Sequence, residues 1–313
     1  MYKLKLNSIL ADENNEKFFG NGPLYLLEGV KKYGSLSASA KAMNMSYSKA
    51  SKIIKHSEEV LGFKLLESHS GGNKGGSSQL TDKGNIFLNL YREYAGNNKI
   101  HGDIHLDDLI IPDNFNRIRI IILASGQGKR FRDNKLLYPL NGKPVIEYIL
   151  TTLLPLKDIC IISTIHKEIA DMGEVLGYKT ALHKEEKLSD SIRYGISEIE
   201  TPCTTMFVQG DQPLLTLTSV MNLIKESLKD PDRFYKLGYG DKKAAPTVFP
   251  ERYFEELRQL EGEQGGSAVV KRHNDTEMVT VQVLFPWEIW DIDEQDDLHY
   301  FEDMTGYLGK EVK

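Results

Sequence analysis

Residues Ile118 to Ser125, IRIIILAS, read as one apolar strand that runs straight into a glycine- and lysine-rich turn, GQGKRFRDNK. A continuous apolar run of strand length marks a strand covered on both faces, as in a parallel sheet. Glycines at the carboxyl end of such a strand let backbone N–H groups approach a phosphate. Lys129, Arg130, Arg132 and Lys135 place positive charge in the same turn. The turn is not a Walker A loop, because no Gly-Lys-Ser/Thr closes it. It also lacks a full G-x-G-x-x-G, since Phe131 stands where the third glycine would be. Taken alone, it is equally an ordinary turn between a strand and a helix.

The pattern then alternates. PVIEYILTTLLPL reads as a helix, DICIISTI as a strand, residues 167–176 as a helix and YKTALH as a short strand. Residues 189–199 read as a helix, and TTMFVQGDQP as a strand ending in a turn. This predicts an α/β fold: a doubly wound, mostly parallel, Rossmann-like sheet that binds ligands at the carboxyl ends of its strands. The Gly126 turn and the Gly210-Asp211-Gln212-Pro213 turn both occupy such ends. Asp211 is placed to hold Mg²⁺ against substrate phosphates, or else to stabilise its own turn. Further on, WDIDEQDDL puts Asp291 and Asp293 on one side of an extended segment, with Asp296 and Asp297 opening the next helix. The alternative for this run is a solvated acidic face.

The first hundred residues differ in kind. They hold 14 Lys and Arg against 9 Asp and Glu in residues 1–99, whereas the chain as a whole has a net charge of −6. Only this part has the sign suited to a polyanion. Leu24, Leu27 and Val30 recur at helical spacing, and a short helix follows over residues 37–43. Asn44-Met45 reads as a turn, and Ser46 as the N-cap of a helix over residues 47–61 rich in Lys and Ser. Two helices joined by a tight turn predict a helix-turn-helix, and FKLLES, the loop HSGGNKGGSS and QLT predict a hairpin wing. The lysines suit phosphates and the short polar side chains suit base edges; the competing reading is a solvated helix face. The expected organisation is a small helix-turn-helix domain over 1–97, a linker over 98–116 rich in Asn, Asp, Gly and Pro, and the α/β domain over 117–313.

Two cysteines, Cys160 and Cys203, exclude a disulfide framework and a four-thiolate zinc site. No apolar run approaches the length of a membrane span, and the opening residues lack a signal-peptide pattern, so no membrane and a cytoplasmic location are expected. His166, His183, His273 and His299 show no metal-ligand spacing and read as structural or surface residues.

GSLSASAKAMNMSYSKASKIIKHSEEVLGFKLLES resembles the winged-helix domain of LysR-like regulators, and SGGNKGGSSQLTDKG resembles the N-terminal domain of the ModE family. The likeness covers about residues 20–95. It implies a homodimer that reads a double-stranded DNA operator, with Ser46, Tyr47, Lys49 and Lys52 on the recognition helix and Lys74 in the wing. LASGQGKRFRDNKLLYPLNGKPVIEYIL resembles the opening signature of the MobA and MocA nucleotidyltransferases that finish molybdenum cofactors. LSDSIRYGI, QGDQP, APTVFPERYFEELRQLEGEQGG and DIDEQDDL are similar to later motifs of that family, in order, over nearly all of residues 118–303. The resemblance implies that Ala124, Ser125 and Gly126 hold a nucleotide and that Arg130 and Lys135 lie on its triphosphate. Ser189 and Ser191 would lie near the nucleotide, and residues 263–266 toward the second substrate. Arg130, Lys135 and Asp211 would be catalytic, and Asp211 and Asp293 would share Mg²⁺, with Asp291 a weaker ligand.

Two positions depart from the family pattern. Ser125 stands where cytidylyl members carry Ala and guanylyl members Gly, and Glu263 where Asp is usual. The stretch from APTVFP to GEQGG favours CTP. The expected function is transfer of CMP from CTP to the terminal phosphate of molybdopterin, coupled to DNA binding. The alternatives are a guanylyltransferase using GTP, a regulator whose transferase-like domain only senses nucleotide or pterin, and an enzyme whose winged helix only dimerises.

Overall fold

The computed structural model describes residues 9–11, 16–69, 77–97, 109–126, 134–273, 278–294, 297–298 and 301. The chain divides into two compact units, Met1–Ile111 and Pro112–Lys313. No helix among the described residues is long and apolar enough to cross a membrane.

In the first unit a small antiparallel pair, β1 (Leu10–Ala11) and β2 (Lys17–Phe19), precedes α1 (Asn21–Tyr33), α2 (Leu36–Ala42) and α3 (Tyr47–Leu61). Each helix boundary has a local cause. Gly34, at φ 73°, closes α1 with its N–H on the Val30 carbonyl, 2.8 Å away. Ser35 Oγ accepts from the Ala38 N–H at 3.1 Å, and Ser46 Oγ from the Lys49 N–H at 3.2 Å. Such caps contribute about 1 kcal/mol each. α1 and α2 meet at Gly29, where a Cβ would lie 2.1 Å from Ser39 Oγ. Leu26, Leu27, Val30, Ala50, Ile54 and Leu61 form the buried side of these helices. β3 (Leu66–His69) pairs with β4 (Ser77–Leu80), and α4 (Asp82–Asn97) adds buried Ile86, Phe87 and Leu90. Glu58 accepts from the Leu65 and Leu66 N–H groups at 3.0 and 3.2 Å, which fixes how the chain enters β3.

The second unit is built on a seven-stranded sheet. Its strands are β5 (Ile118–Leu123), β8 (Cys160–Thr164), β9 (Lys179–Leu182), β10 (Thr204–Gln209), β11 (Phe234–Tyr239), β12 (Lys242–Phe249) and β13 (Met278–Gln282). The order is β13-β11-β12-β10-β5-β8-β9, and β12 alone runs against the others. Helices α5 (Val145–Leu153), α6 (Lys167–Leu176) and α7 (Leu188–Ser197) follow β5, β8 and β9, and α8 (Leu217–Lys229) follows β10. Two short helices, α9 (Phe254–Arg258) and α10 (Gly266–Arg272), complete the unit.

The double coverage expected of β5 is present. Ile121 packs in an apolar cluster with Ile192 and Ile196 of α7, while Ile120 and Ile122, pointing the other way by strand alternation, are also wholly buried. Each such side chain contributes about 1.5–3 kcal/mol. The chain steps outward from β5 to β8 and β9, then returns to the other side of β5 as β10. Leu123 and Gln209 end level in that parallel pair. The gap at their carboxyl ends is therefore a topological switch point, where open α/β sheets bind ligands.

Two peripheral pieces pack on each other through one apolar cluster. β6 (Pro139–Leu140) and β7 (Lys143–Pro144) form a tight hairpin through Asn141 and Gly142, whose φ values of 49° and 80° suit a two-residue turn. Ile292, Leu298 and Phe301 pack with Leu140, Val145 and Leu214, so the late acidic segment is anchored by its apolar residues.

Candidate active site

At the carboxyl end of β5 the backbone turns from structural to exposed within two residues. The Ala124 N–H donates to the Ser163 carbonyl at 2.9 Å, and the Ala124 carbonyl accepts from Thr164 Oγ1 at 2.7 Å. Ala124 is thus used up inside the sheet edge. Ser125 and Gly126, the next residues, line a cleft of about 880 Å³. β10 ends alongside, where the Gly210 N–H donates to the Leu123 carbonyl at 3.0 Å. A Cβ at Gly210 would lie 2.7 Å from Ile146 Cδ1 and 3.3 Å from the Leu123 carbonyl oxygen, so a side chain here would press on both. The turn delivers Asp211 into the same cleft.

Three segments distant in sequence converge on Asp211. Lys135 stands at the start of a 3₁₀ turn (Lys135–Leu137), shaped by Asn134 Oδ1 accepting from the Leu136 N–H at 3.0 Å. Its Nζ lies 2.5 Å from Asp211 Oδ2 and 3.7 Å from Asp293 Oδ1, and it donates to the Ile292 carbonyl at 2.8 Å. The Ile292 N–H in turn donates to the Asp211 carbonyl at 3.0 Å. The Lys135 and Asp211 side chains are only 11% and 14% exposed, whereas Asp293 is 62% exposed. Asp291 lines the cleft beside them. Burial, then the neighbouring Asp211 and Asp293 carboxylates, raise its carboxyl above the ordinary range, with Lys135 opposing.

The facing wall comes from the segment before α7 and the first turn of that helix: Glu185, Glu186, Lys187, Leu188, Asp190 and Ser191. Ser191 Oγ is buried with no hydrogen-bond partner among the described residues. Ser189 is placed differently. Its hydroxyl donates to the Gly262 carbonyl at 2.8 Å, behind the wall, tying α7 to the loop that carries Glu263. Glu263 itself lines the cleft.

The cleft therefore gathers Ser125, Gly126, Lys135, Ser191, Asp211, Asp293 and Asp291, while Ala124 and Ser189 support it from behind. Arg130 and Lys74 lie outside the described residues. Sequence reasoning missed the wall over 185–188 and His183. His183 Nε2 is 3.2 Å from Ser125 Oγ, and its ring stacks on Tyr194 with centroids 4.8 Å apart. Burial holds this imidazole below the ordinary histidine range. HKEEK is a short charged run, and no local signal in it marks these residues as cleft.

The Asp211 and Asp293 carboxylates suit a hard cation. Asp211 Oδ1 is buried and has no hydrogen-bond partner among the described residues, leaving an acceptor that a cation would satisfy. No group of three or more His, Cys, Asp or Glu among the described residues forms a complete cage. Magnesium commonly takes one or two carboxylates and completes its shell with water and phosphate oxygens.

In the first unit Tyr47, Lys49 and Lys52 are exposed on α3, Tyr47 to 57%. Ser46 is exposed too, but its Oγ is engaged in capping α3.

Comparison with known proteins agrees with both halves. The model for bacterial regulatory helix-turn-helix proteins of the lysR family matches residues 23–85. The model for the MobA-like NTP transferase domain matches residues 120–277, about half of the chain. A probable molybdenum cofactor guanylyltransferase from Thermococcus gammatolerans is 37% identical over 109 residues, 34% of this chain. The chain spans 56% of that relative's length. Two solved structures share the fold at 19% identity and a TM-score of 0.53. They are a homologue of Mycobacterium tuberculosis Rv0371c from Mycobacterium sp. strain JC1, covering 62% of this chain and 98% of its own, and a nucleotidyl transferase from Methanothermobacter, covering 61% and 98%. The chain belongs to the MobA-like NTP transferase family and carries a lysR-type helix-turn-helix ahead of that domain.

Proposed function

We propose that the second unit transfers a nucleotidyl group from a nucleoside triphosphate to the terminal phosphate of molybdopterin, with CTP as the donor and Mg²⁺ as the metal. The observation that carries this reading is the convergence of Lys135, Asp211 and Asp293 at the switch point between β5 and β10. The pterin acceptor is supported by family membership and by the name of the Thermococcus relative. CTP is supported by the stretch from Ala245 to Gly266; that relative's name makes GTP the second donor to offer.

In this reaction an oxygen of the acceptor phosphate forms a bond to the α-phosphorus. The bond from that phosphorus to the bridging oxygen breaks, and pyrophosphate leaves with the electron pair. A phosphate monoester is largely ionised at neutral pH, so no side chain needs to remove a proton from it. Ser125 and Gly126 receive the nucleotide at the end of β5, and Lys135 with Arg130 neutralises charge on the departing phosphates. Asp211 and Asp293 would hold magnesium, which when bound supplies Lewis-acid charge withdrawal from the triphosphate.

The first unit binds a double-stranded operator as a homodimer, through Ser46, Tyr47, Lys49, Lys52 and Lys74, and the chain works in the cytoplasm. The transferase reading is tested by pyrophosphate release with molybdenum-loaded molybdopterin and Mg²⁺, offering CTP, GTP and ATP in turn. We expect release with CTP and a loss of at least about 100-fold in Asp211→Ala. No release from folded protein with any of the three nucleotides would overturn it.

A further inference from the structure

Lys135 does more in this structure than stand near a phosphate site. Its ammonium group is nearly enclosed and has three oxygens around it: Asp211 Oδ2 at 2.5 Å, the Ile292 carbonyl at 2.8 Å and Asp293 Oδ1 at 3.7 Å. The first two are within hydrogen-bond reach, and the Asp293 carboxylate is a longer-range ion-pair partner. The frame around it is fixed. Asp211 follows Gly210, whose N–H is tied to the Leu123 carbonyl at 3.0 Å, and Ile292 is wholly buried among Leu140, Val145 and Leu214. The lysine, on a four-carbon stem, is the movable partner.

We propose that Lys135 is the resident counter-ion of the metal position, so that a divalent cation binds weakly alone and tightly once a triphosphate has drawn the lysine away. This rests on reading Asp211 and Asp293 as the metal ligands. A divalent cation on the open Asp211 Oδ1 would share its carboxylate with the ammonium on Oδ2, and two cations a few ångströms apart repel in a site this enclosed. The triphosphate offers the ammonium other anionic oxygens. Metal and nucleotide therefore favour each other through one displaced side chain, and linkage makes the effect reciprocal. The consequence is order: the aspartate pair accepts its metal when the substrate is present.

The test is Mn²⁺ binding to the full chain, followed by electron paramagnetic resonance without nucleotide. The proteins are wild type, Lys135→Met, Lys135→Gln and Asp211→Asn, each checked for folding by circular dichroism. Removing the competing charge is expected to tighten Mn²⁺ binding about tenfold, within the usual range of coupling between sites. Gln keeps a donor for the Ile292 carbonyl while deleting the charge, so it preserves the test if Met disturbs the fold. Unchanged or weaker Mn²⁺ binding in the folded lysine variants overturns the inference. A second titration, with CTP present, separates the two failures. If Asp211→Asn still binds Mn²⁺ as wild type does, the metal reading fails and the inference with it. If Asp211 is required with CTP but the lysine variants bind Mn²⁺ no tighter without nucleotide, the counter-ion role alone fails.

Discussion

His183 shows how one side chain can join the sheet edge to the cleft wall. Its N–H donates to the Thr164 carbonyl at 3.0 Å, its Nε2 meets Ser125, and its ring lies flat on Tyr194 of α7. Burial lowers its affinity for a proton, with the Glu185 backbone and carboxylate opposing. The linkage has a definite sign. The unfolded chain protonates this histidine as pH falls through about 6.5, while the folded chain resists. The unfolded state then binds more protons, and stability falls on acidification below that pH. His183→Phe keeps a ring against Tyr194 and removes the titration. Thermal melts of wild type and variant at about pH 7.5 and 5.5 are expected to show a smaller loss in the variant. Equal losses would assign the acid sensitivity to other groups. Ser125, which this ring touches, is also the position at which the sequence departs from both donor classes of the family.

At the scale of elements, the start of α8 depends on a residue far away in sequence. Thr216 Oγ1 accepts from the Ser219 N–H at 3.1 Å, and Glu288 Oε2 accepts from Thr216 Oγ1 and Ser219 Oγ, each at 2.6 Å. Glu288 Oε1 accepts from the Phe285 N–H at 3.1 Å. Burial raises the Glu288 carboxyl above the ordinary range against the pull of these bonds. Glu288→Ala leaves two hydroxyls and one N–H without this acceptor, at an expected cost of about 3 kcal/mol. A denaturant titration measures it, and a loss below about 1 kcal/mol would mean that water replaces the carboxylate. The same arrangement marks the limit of what local pattern reveals. β5, the alternation that follows it and the turn holding Asp211 are legible, because apolar period and turn chemistry are local. The antiparallel β12, the Glu288 cap and the bond from Lys135 to the Ile292 carbonyl are not. Their partners lie in other elements, and only the completed sheet brings them together. Ser189 differs from its expected place for a related reason: the helix start is visible in the sequence, but not which of its two serines faces the cleft.

For the whole molecule, charge distinguishes the two parts of the chain. Residues 1–99 are basic and the chain is acidic overall, so a polyanion is drawn to the first unit and repelled by the rest. Lys49 and Lys52 stand exposed on α3, on a helix whose other side is buried through Ala50, Ile54 and Leu61. Removing them should therefore leave the fold of this unit and the cleft of the other untouched. Each lysine that neutralises a phosphate releases condensed counter-ions, and the slope of log K against log salt changes by about 1 for each phosphate that is no longer neutralised. In a homodimer each substitution counts twice. We expect Lys49→Ala and Lys52→Ala each to lower the slope on operator DNA by about 2, with pyrophosphate release unchanged. A change of about 1 would assign DNA binding to a single copy. An unchanged slope would remove α3 from the DNA interface.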